Sequence, residues 1–323
     1  MMRAALAALM LLAAPAASVT VDVKEWPVPF KGHPRDPYPD AAGGIWFVGQ
    51  EGHYLARFDP KTEKFDKTAL DDGAGPHNLI VDGAGHVWFS GNLKGYIGEL
   101  DPAAGKIKRY PMPDPKAKDP HTLVFDRAGD LWFTVQFGNF VGRLQPKTGQ
   151  VRLVALPTPG ARPYGIVLDS KGRPFFNEFG TNKIGSLDPA TMKLEEYTLP
   201  SPAARSRRIA ITRDDAVWFV DYARGRLGRL DPATRQVTEH LLPEGEGSLP
   251  YAMTVDDHDR LWAVETAPQP NVLVGFDPKA GQFFARAAFP SGAGTVRHMV
   301  FDRPTRQIWF GTDHDTIGRA RVP

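Results

Sequence analysis

The sequence predicts an all-β protein: a seven-bladed β-propeller of four-stranded blades, with the last blade completed by the N-terminal strand. Three observations carry this. An aromatic anchor returns at Trp46, Trp88, Trp132, Phe175, Trp218, Trp262 and Trp309, spaced 42, 44, 43, 43, 44 and 47 residues apart. A period of that length, with a recurrent Trp-Phe, a Gly-containing turn before it and short apolar runs on either side, marks one repeated supersecondary unit, and a blade of four strands is the usual unit. Lastly, the first strand has no neighbour in its own repeat, while the last repeat lacks a fourth strand.

The elements follow in order. Met1-Met2-Arg3, an alanine- and leucine-rich run and small residues around Ala14-Pro15-Ala16 read as a secretory signal peptide over residues 1–17, too short in its apolar part to span a bilayer. The expected location is therefore secreted or periplasmic. Residues 21–323 form one propeller domain, because blades bury no core alone and leave no place for a domain boundary. Residues 21–29 form a strand that resembles the closing strands at 107–113, 194–200 and 237–243, and the chain stops on a third-strand pattern at 316–322. Pairing these two ends closes the ring and hides both sheet edges.

Within a repeat, an inner strand such as 123–125 leads through the Asp126-Arg127-Ala128-Gly129 turn into Leu131-Trp132-Phe133, then a polar loop, a third strand at 140–144 and an outer strand. Aspartate and glycine stand where hairpins need turn formers, at Asp82/Gly85, Asp126/Gly129 and Asp169/Gly172, and at Asp-Pro pairs such as Asp188-Pro189. The recurrent aromatics pack between blades, since alternate residues of a blade strand face neighbouring sheets.

With 42% hydrophobic and 24% charged residues the chain has ordinary globular composition, and a net charge of +2 demands no nucleic acid. No cysteine occurs, so disulfides and thiolate metal sites are excluded. There is no Gly-rich phosphate loop opening a helix, no His-Glu-x-x-His and no Gly-x-Ser-x-Gly. We expect a monomer without a membrane span.

One register position lines the channel mouth, at the start of each inner strand. It holds Arg35, His77, His121, Tyr164, Arg207, Tyr251 and Arg297. A wet channel mouth tolerates polar side chains in general, but not this bias toward hydrogen-bond donors. The set describes a pocket for a polar ligand that is anionic or bears a carbonyl. Of nine histidines, His33, His53, His77, His121, His298 and His314 fall on or beside this face. His77 and His121 occupy matched positions in adjacent blades.

At these residues, and in repeats such as Pro163-Tyr164-Gly165-Ile166, Asn182-Lys183-Ile184-Gly185 and Glu195-Glu196-Tyr197-Thr198-Leu199-Pro200, the chain resembles the streptogramin B lyase (virginiamycin B lyase) family of seven-bladed propellers. The resemblance covers nearly all of residues 21–323. It implies a carbon-oxygen lyase that cleaves an ester or uronate-like substrate by base-catalysed elimination at the channel mouth, the substrate being a small molecule or oligosaccharide with a carboxylate or ester. Pro76-His77 and Asp119-Pro120-His121 look like the family's paired motifs, shifted around the ring to the second and third blades. On that likeness His77 contacts substrate, Asp119 binds magnesium and His121 accepts the proton. The second magnesium carboxylate of the family falls at Gln136, a neutral amide, so Arg35, Arg207 or Arg297 are candidates to hold the developing negative charge.

Two other readings stand beside this one. A lactonase-like metal hydrolase would need the carboxylates of Asp36, Asp119, Glu178, Asp221 and Glu265 to converge on an ion. A non-enzymatic ligand-binding propeller would need none of these, because fold does not imply function.

Overall fold

The computed structural model describes residues 19–70 and 73–323; the expected signal peptide lies outside them. Among the described residues there are seven antiparallel sheets of four strands and no helix. The innermost strands of blades 1 to 7 are Pro34–Pro39, Leu79–Val81, Pro120–Phe125, Pro163–Leu168, Ser206–Ile211, Pro250–Val255 and Val296–Asp302. Blade 3 continues outward through Leu131–Val135, Phe140–Gln145 and Gln150–Ala155. The closing strand, Asp22–Pro27, pairs with Thr316–Arg321 in the register Asp22↔Arg321 to Pro27↔Thr316. Chain closure is thus made as the sequence predicts, and Trp26, outside the repeat series, stacks on Trp309 at 5.9 Å across this seam.

Seven hydrophobic clusters fill the seven spaces between blades. Trp132, for example, is fully buried with Val141, Ile166 and Phe176 between blades 3 and 4. Burying an aromatic of this size removes roughly 200 Å² from water, worth several kcal/mol at about 25 cal/mol per Å².

Asp126 serves two purposes. Its Oδ1 accepts from the backbone N–H groups of Ala128 and Asp130, closing the turn, and its Oδ2 accepts from the Trp132 indole at 2.9 Å. The same indole-to-aspartate link joins Trp88 to Asp82 and Trp262 to Asp256. The fixed interval from turn aspartate to tryptophan therefore has a direct cause. Gly142 is required by packing: a Cβ there would lie 2.2 Å from the Phe133 ring.

The feature that shapes the site is a break in register at the channel end of the inner strands. In blade 3 Pro120 pairs with Val135 and Leu123 pairs with Phe133, so His121 and Thr122 together oppose Thr134. Similar shifts occur at Arg35/Tyr38, Pro163/Ile166, Ser206/Arg208, Pro250/Met253 and Val296/Met299. A bulge adds an unpaired residue and re-aims side chains. The freed backbone groups are not orphaned, since Ser90 Oγ donates to His121 O and Thr134 Oγ1 accepts from Thr122 N.

Candidate active site

Six of the seven positions of the predicted ring, all but Arg35, are joined by direct ring, hydroxyl or guanidinium contacts at the channel mouth. His77 and His121 rings lie 3.6 Å apart between centroids, and His121 lies 4.1 Å from Tyr164. Tyr164 and Tyr251, from blades 4 and 6, share a short hydroxyl-to-hydroxyl hydrogen bond. The Arg207 guanidinium sits 3.6 Å from the Tyr251 ring centroid and also faces Tyr222 and Phe179, at 4.5 and 4.7 Å. Arg297 is held by both oxygens of Asp313, at 2.9 and 2.6 Å. Arg35 donates to Gln50 at 2.7 Å and to Asp36 at 3.2 Å.

Behind the ring lies a second tier: Asp36 and His298, both already placed at this face from the sequence, with Asn78, Thr122 and Arg208, which the sequence did not single out. Strict strand alternation would turn such residues away from their ring neighbours, but in blades 1, 3, 5 and 7 the register shift lets both face the channel, and in blade 3 His121 Nδ1 contacts Thr122 Oγ1 at 2.8 Å. Arg208, only 3% exposed, crosses the channel from blade 5. It donates to Arg297 O at 3.0 Å, to Thr122 Oγ1 at 3.3 Å and to Asp36 Oδ2 at 3.4 Å. Asp36 also accepts from Asn78 at 2.8 Å.

A further set lies four residues after each anchor: Gln50, Phe179, Tyr222 and Asp313 hold the ring arginines in the contacts given above. Its common register was visible in the sequence, though only Gln136 was taken from it. On the rim, Leu93 and Phe137 are 61% and 70% exposed, an apolar ledge beside the mouth.

The electrostatics follow from four guanidiniums in a closed space. Burial, then Arg208 and Arg35, hold the His121 pKa well below that of an ordinary imidazole. Burial, then Arg35 and the His121 ring, do the same for His77. Both are neutral at pH 7. Burial would raise the Tyr251 phenol, but Arg207, Arg35, Arg208 and Arg297 outweigh it and bring the pKa down to about 8. Burial and the neighbouring Tyr251 raise Tyr164, so the pair gives up its first proton from Tyr251. Asp36 stays ionised: burial opposes this, but Arg208, His298 and Arg35 prevail.

Four of the seven ring side chains carry an enclosed polar atom without a protein partner: Arg35 Nη2, His77 Nδ1, His121 Nε2 and Arg207 Nε. Native proteins rarely leave such groups unmatched. Their clustering at one mouth fits a site whose partners come from a bound molecule.

The expected magnesium ligands fit that ion poorly. Asp119 sits outside the ring, and its two oxygens accept from the backbone N–H groups of Phe137 and Gly138, at 2.5 and 2.9 Å. It therefore fastens the loop that carries the apolar ledge. Burial raises its pKa despite those two donors, and the companion at 136 is a neutral amide. One committed carboxylate and one amide are a weak donor set for magnesium. The carboxylates that a metal hydrolase would gather do not gather either. Glu265 accepts from Glu244 N and Asp221 from Arg205 N, each in the connection that leads into its blade, while Asp36 is engaged by arginine. Among the described residues no three His, Cys, Asp or Glu side chains are placed to share an ion.

The remaining face histidines do not enter the ring. His53 Nδ1 accepts from Gly75 N and His314 Nδ1 contacts Ser291 O, both in outer loops.

Residues 16–270 match the virginiamycin B lyase family. Among solved structures, the chain is similar to virginiamycin B lyase from Staphylococcus aureus, at 25% identity with a TM-score of 0.85, covering 94% of this chain and 100% of that one. A catalytically inactive histidine-to-alanine variant of that enzyme, with quinupristin, is similar at 25% identity with a TM-score of 0.83, over 94% and 100% of the two chains. YCF48 bound to D1 peptide shares the fold alone, at 13% identity with a TM-score of 0.73, over 95% and 98%. Among curated proteins no sequence matches. No helix of the described residues is long and apolar enough to cross a membrane.

Proposed function

Since the chain belongs to the virginiamycin B lyase family, we propose that its channel mouth is the active site of a carbon-oxygen lyase that eliminates across an ester or a uronate-like carboxylate. The observation that carries this is the unpartnered His121 Nε2, in a neutral ring braced between His77 and Tyr164 and surrounded by guanidiniums. When His121 Nδ1–H donates to Thr122, the Nε2 lone pair is free to accept a proton.

In the reaction, Nε2 takes the proton from the carbon next to the substrate carbonyl. The C–H electron pair becomes the new C=C bond, and the C–O bond on the adjacent carbon breaks with its electrons on oxygen. Arg35 Nη2 and Arg207 Nε, both lacking protein partners, hold the carbonyl or carboxylate oxygen as charge grows there, which is the largest catalytic term in reactions of this type. His77 packs against the base and contacts substrate. A carboxylate leaving group needs no proton; an alkoxide takes one from the Tyr251 hydroxyl. No step requires a metal, in keeping with the donor set at Asp119 and Gln136. Residues 1–17 would export the protein, placing the reaction in the periplasm or outside the cell.

A binding protein without turnover is the second reading, favoured by how deeply the base is enclosed: His121 is 1% exposed. One experiment separates the readings. Quinupristin and uronate-containing oligosaccharides are incubated with the full chain and followed by mass spectrometry and by absorbance of the new double bond. Elimination opens a cyclic ester with no change in mass, hydrolysis adds water, and a binder leaves the ligand intact. Retention of turnover by H121A would overturn the assignment of the base.

A further inference from the structure

Beyond the polar mouth the channel continues as a separate cavity of about 310 Å³ that the elimination reaction does not use. Its walls are apolar, built by residues such as Ile80, Phe125, Ile211, Met253 and Val300 from five different blades. Its closed end is polar, formed by Asn78, Thr122, Arg208 and His298. The inner-strand side chains become partly exposed from Val124, Val167 and Thr254 onward, toward the hairpin turns, so this space opens on the face opposite the mouth. Arg208 and its bonds to blades 1, 3 and 7 form the partition between the two.

We propose that this cavity is a second ligand site, filled from the hairpin-turn face by a small carboxylate with a hydrocarbon tail. The volume is about twice the ~150 Å³ of an engineered apolar cavity that stays dry and takes up benzene, so the space holds a medium-length chain. The head group is specified by the closed end. Arg208 carries five N–H donors, of which three have protein partners, and His298 Nδ1 is enclosed and has none. Charge sets the sign. Among the described residues the guanidiniums of Arg35 and Arg208 share the one carboxylate of Asp36 for ion pairs, which leaves the partition positive. An apolar pocket with a few convergent polar groups at one end is the usual form of a small-molecule site.

The test is calorimetric titration of octanoate, 1-octanol and acetate into the full chain. Octanoate is expected to bind saturably at one site, with 1-octanol and acetate each at least tenfold weaker. Ile211→Trp, which fills the tail cavity without touching the arginines, should weaken octanoate at least tenfold while a thermal melt shows it folded. Arg207→Ala, on the mouth side of the partition, should leave octanoate affinity within twofold. The proposal is overturned by no saturable binding, by octanol binding as tightly as octanoate, by unchanged affinity in I211W, or by loss in R207A, which would place the octanoate at the mouth. None of these outcomes bears on whether the mouth catalyses elimination.

Discussion

His77 and His121 stack with their ring centroids 3.6 Å apart and their planes inclined at 37°. Two imidazoles at this separation, in a buried space shared with Arg35 and Arg208, cannot both be protonated at modest cost. The protein therefore keeps both rings neutral by denying them water and placing fixed cations beside them.

Acid stability follows. Burial lowers the pKa values of His77, His121 and His298 in the folded chain, the last to about 4, from 6.5 in the unfolded chain. Below pH 6.5 the unfolded state takes up protons that the folded state refuses, so stability falls as pH falls toward 4. His298 alone accounts for a loss on the order of 3 kcal/mol. Thermal melts between pH 7 and 4 should show a falling Tm, with a shallower slope in His298→Leu. A flat profile in both would contradict the burial of neutral histidines.

On the proposed mechanism, Tyr251 sets the alkaline limit for substrates with an alkoxide leaving group. Its phenol, held down to about 8, is a proton donor below that pH and a phenolate above it. The kcat profile should fall above pH 8 in the wild type. Tyr251→Phe should lose about 100-fold in kcat and lose that limb, the scale expected of a general acid. For a carboxylate leaving group the same variant should be nearly silent.

Arg208 and Asp36 are the buried ion pair of the partition, 3% and 0% exposed on their side chains. Arg208→Met leaves the Asp36 charge short of a partner in the channel and should destabilise the fold by about 3–5 kcal/mol in urea titration. The double variant R208M/D36N should recover part of that loss, because the Asp36 charge is gone, while Arg35 loses its ion pair and keeps only the Gln50 oxygen. Equal stability of the single and double variants would show that the pair is not the reason for the arginine.

Asp119 should act on the rim loop and not through magnesium. Asp119→Ala removes two hydrogen bonds to Phe137 and Gly138, costing about 1.5–3 kcal/mol for each charged partner where the loop is enclosed and less where it is wet. Chelation followed by added magnesium should leave both Tm and turnover of the wild type unchanged. A magnesium-dependent rise in turnover that D119A abolishes would restore the metal site.

Much of this was open to reading in the chain itself. The Trp46 to Trp309 series specifies seven units because each blade must cover its neighbour, and the unmatched ends at residues 21–29 and 316–322 leave one way to close the ring. The ring at Arg35, His77, His121, Tyr164, Arg207, Tyr251 and Arg297 could be placed from register alone, because inner strands of a propeller must face the channel. What no periodicity could supply was the bulge, which puts one extra residue at the mouth and turns Thr122 and Arg208 inward beside their neighbours. Nor could it show that Arg208 reaches Asp36, 172 residues away in sequence, or that Asp119 turns to its own loop. Those are decided by where seven separate sheets bring their ends together, and only the closed ring fixes that distance.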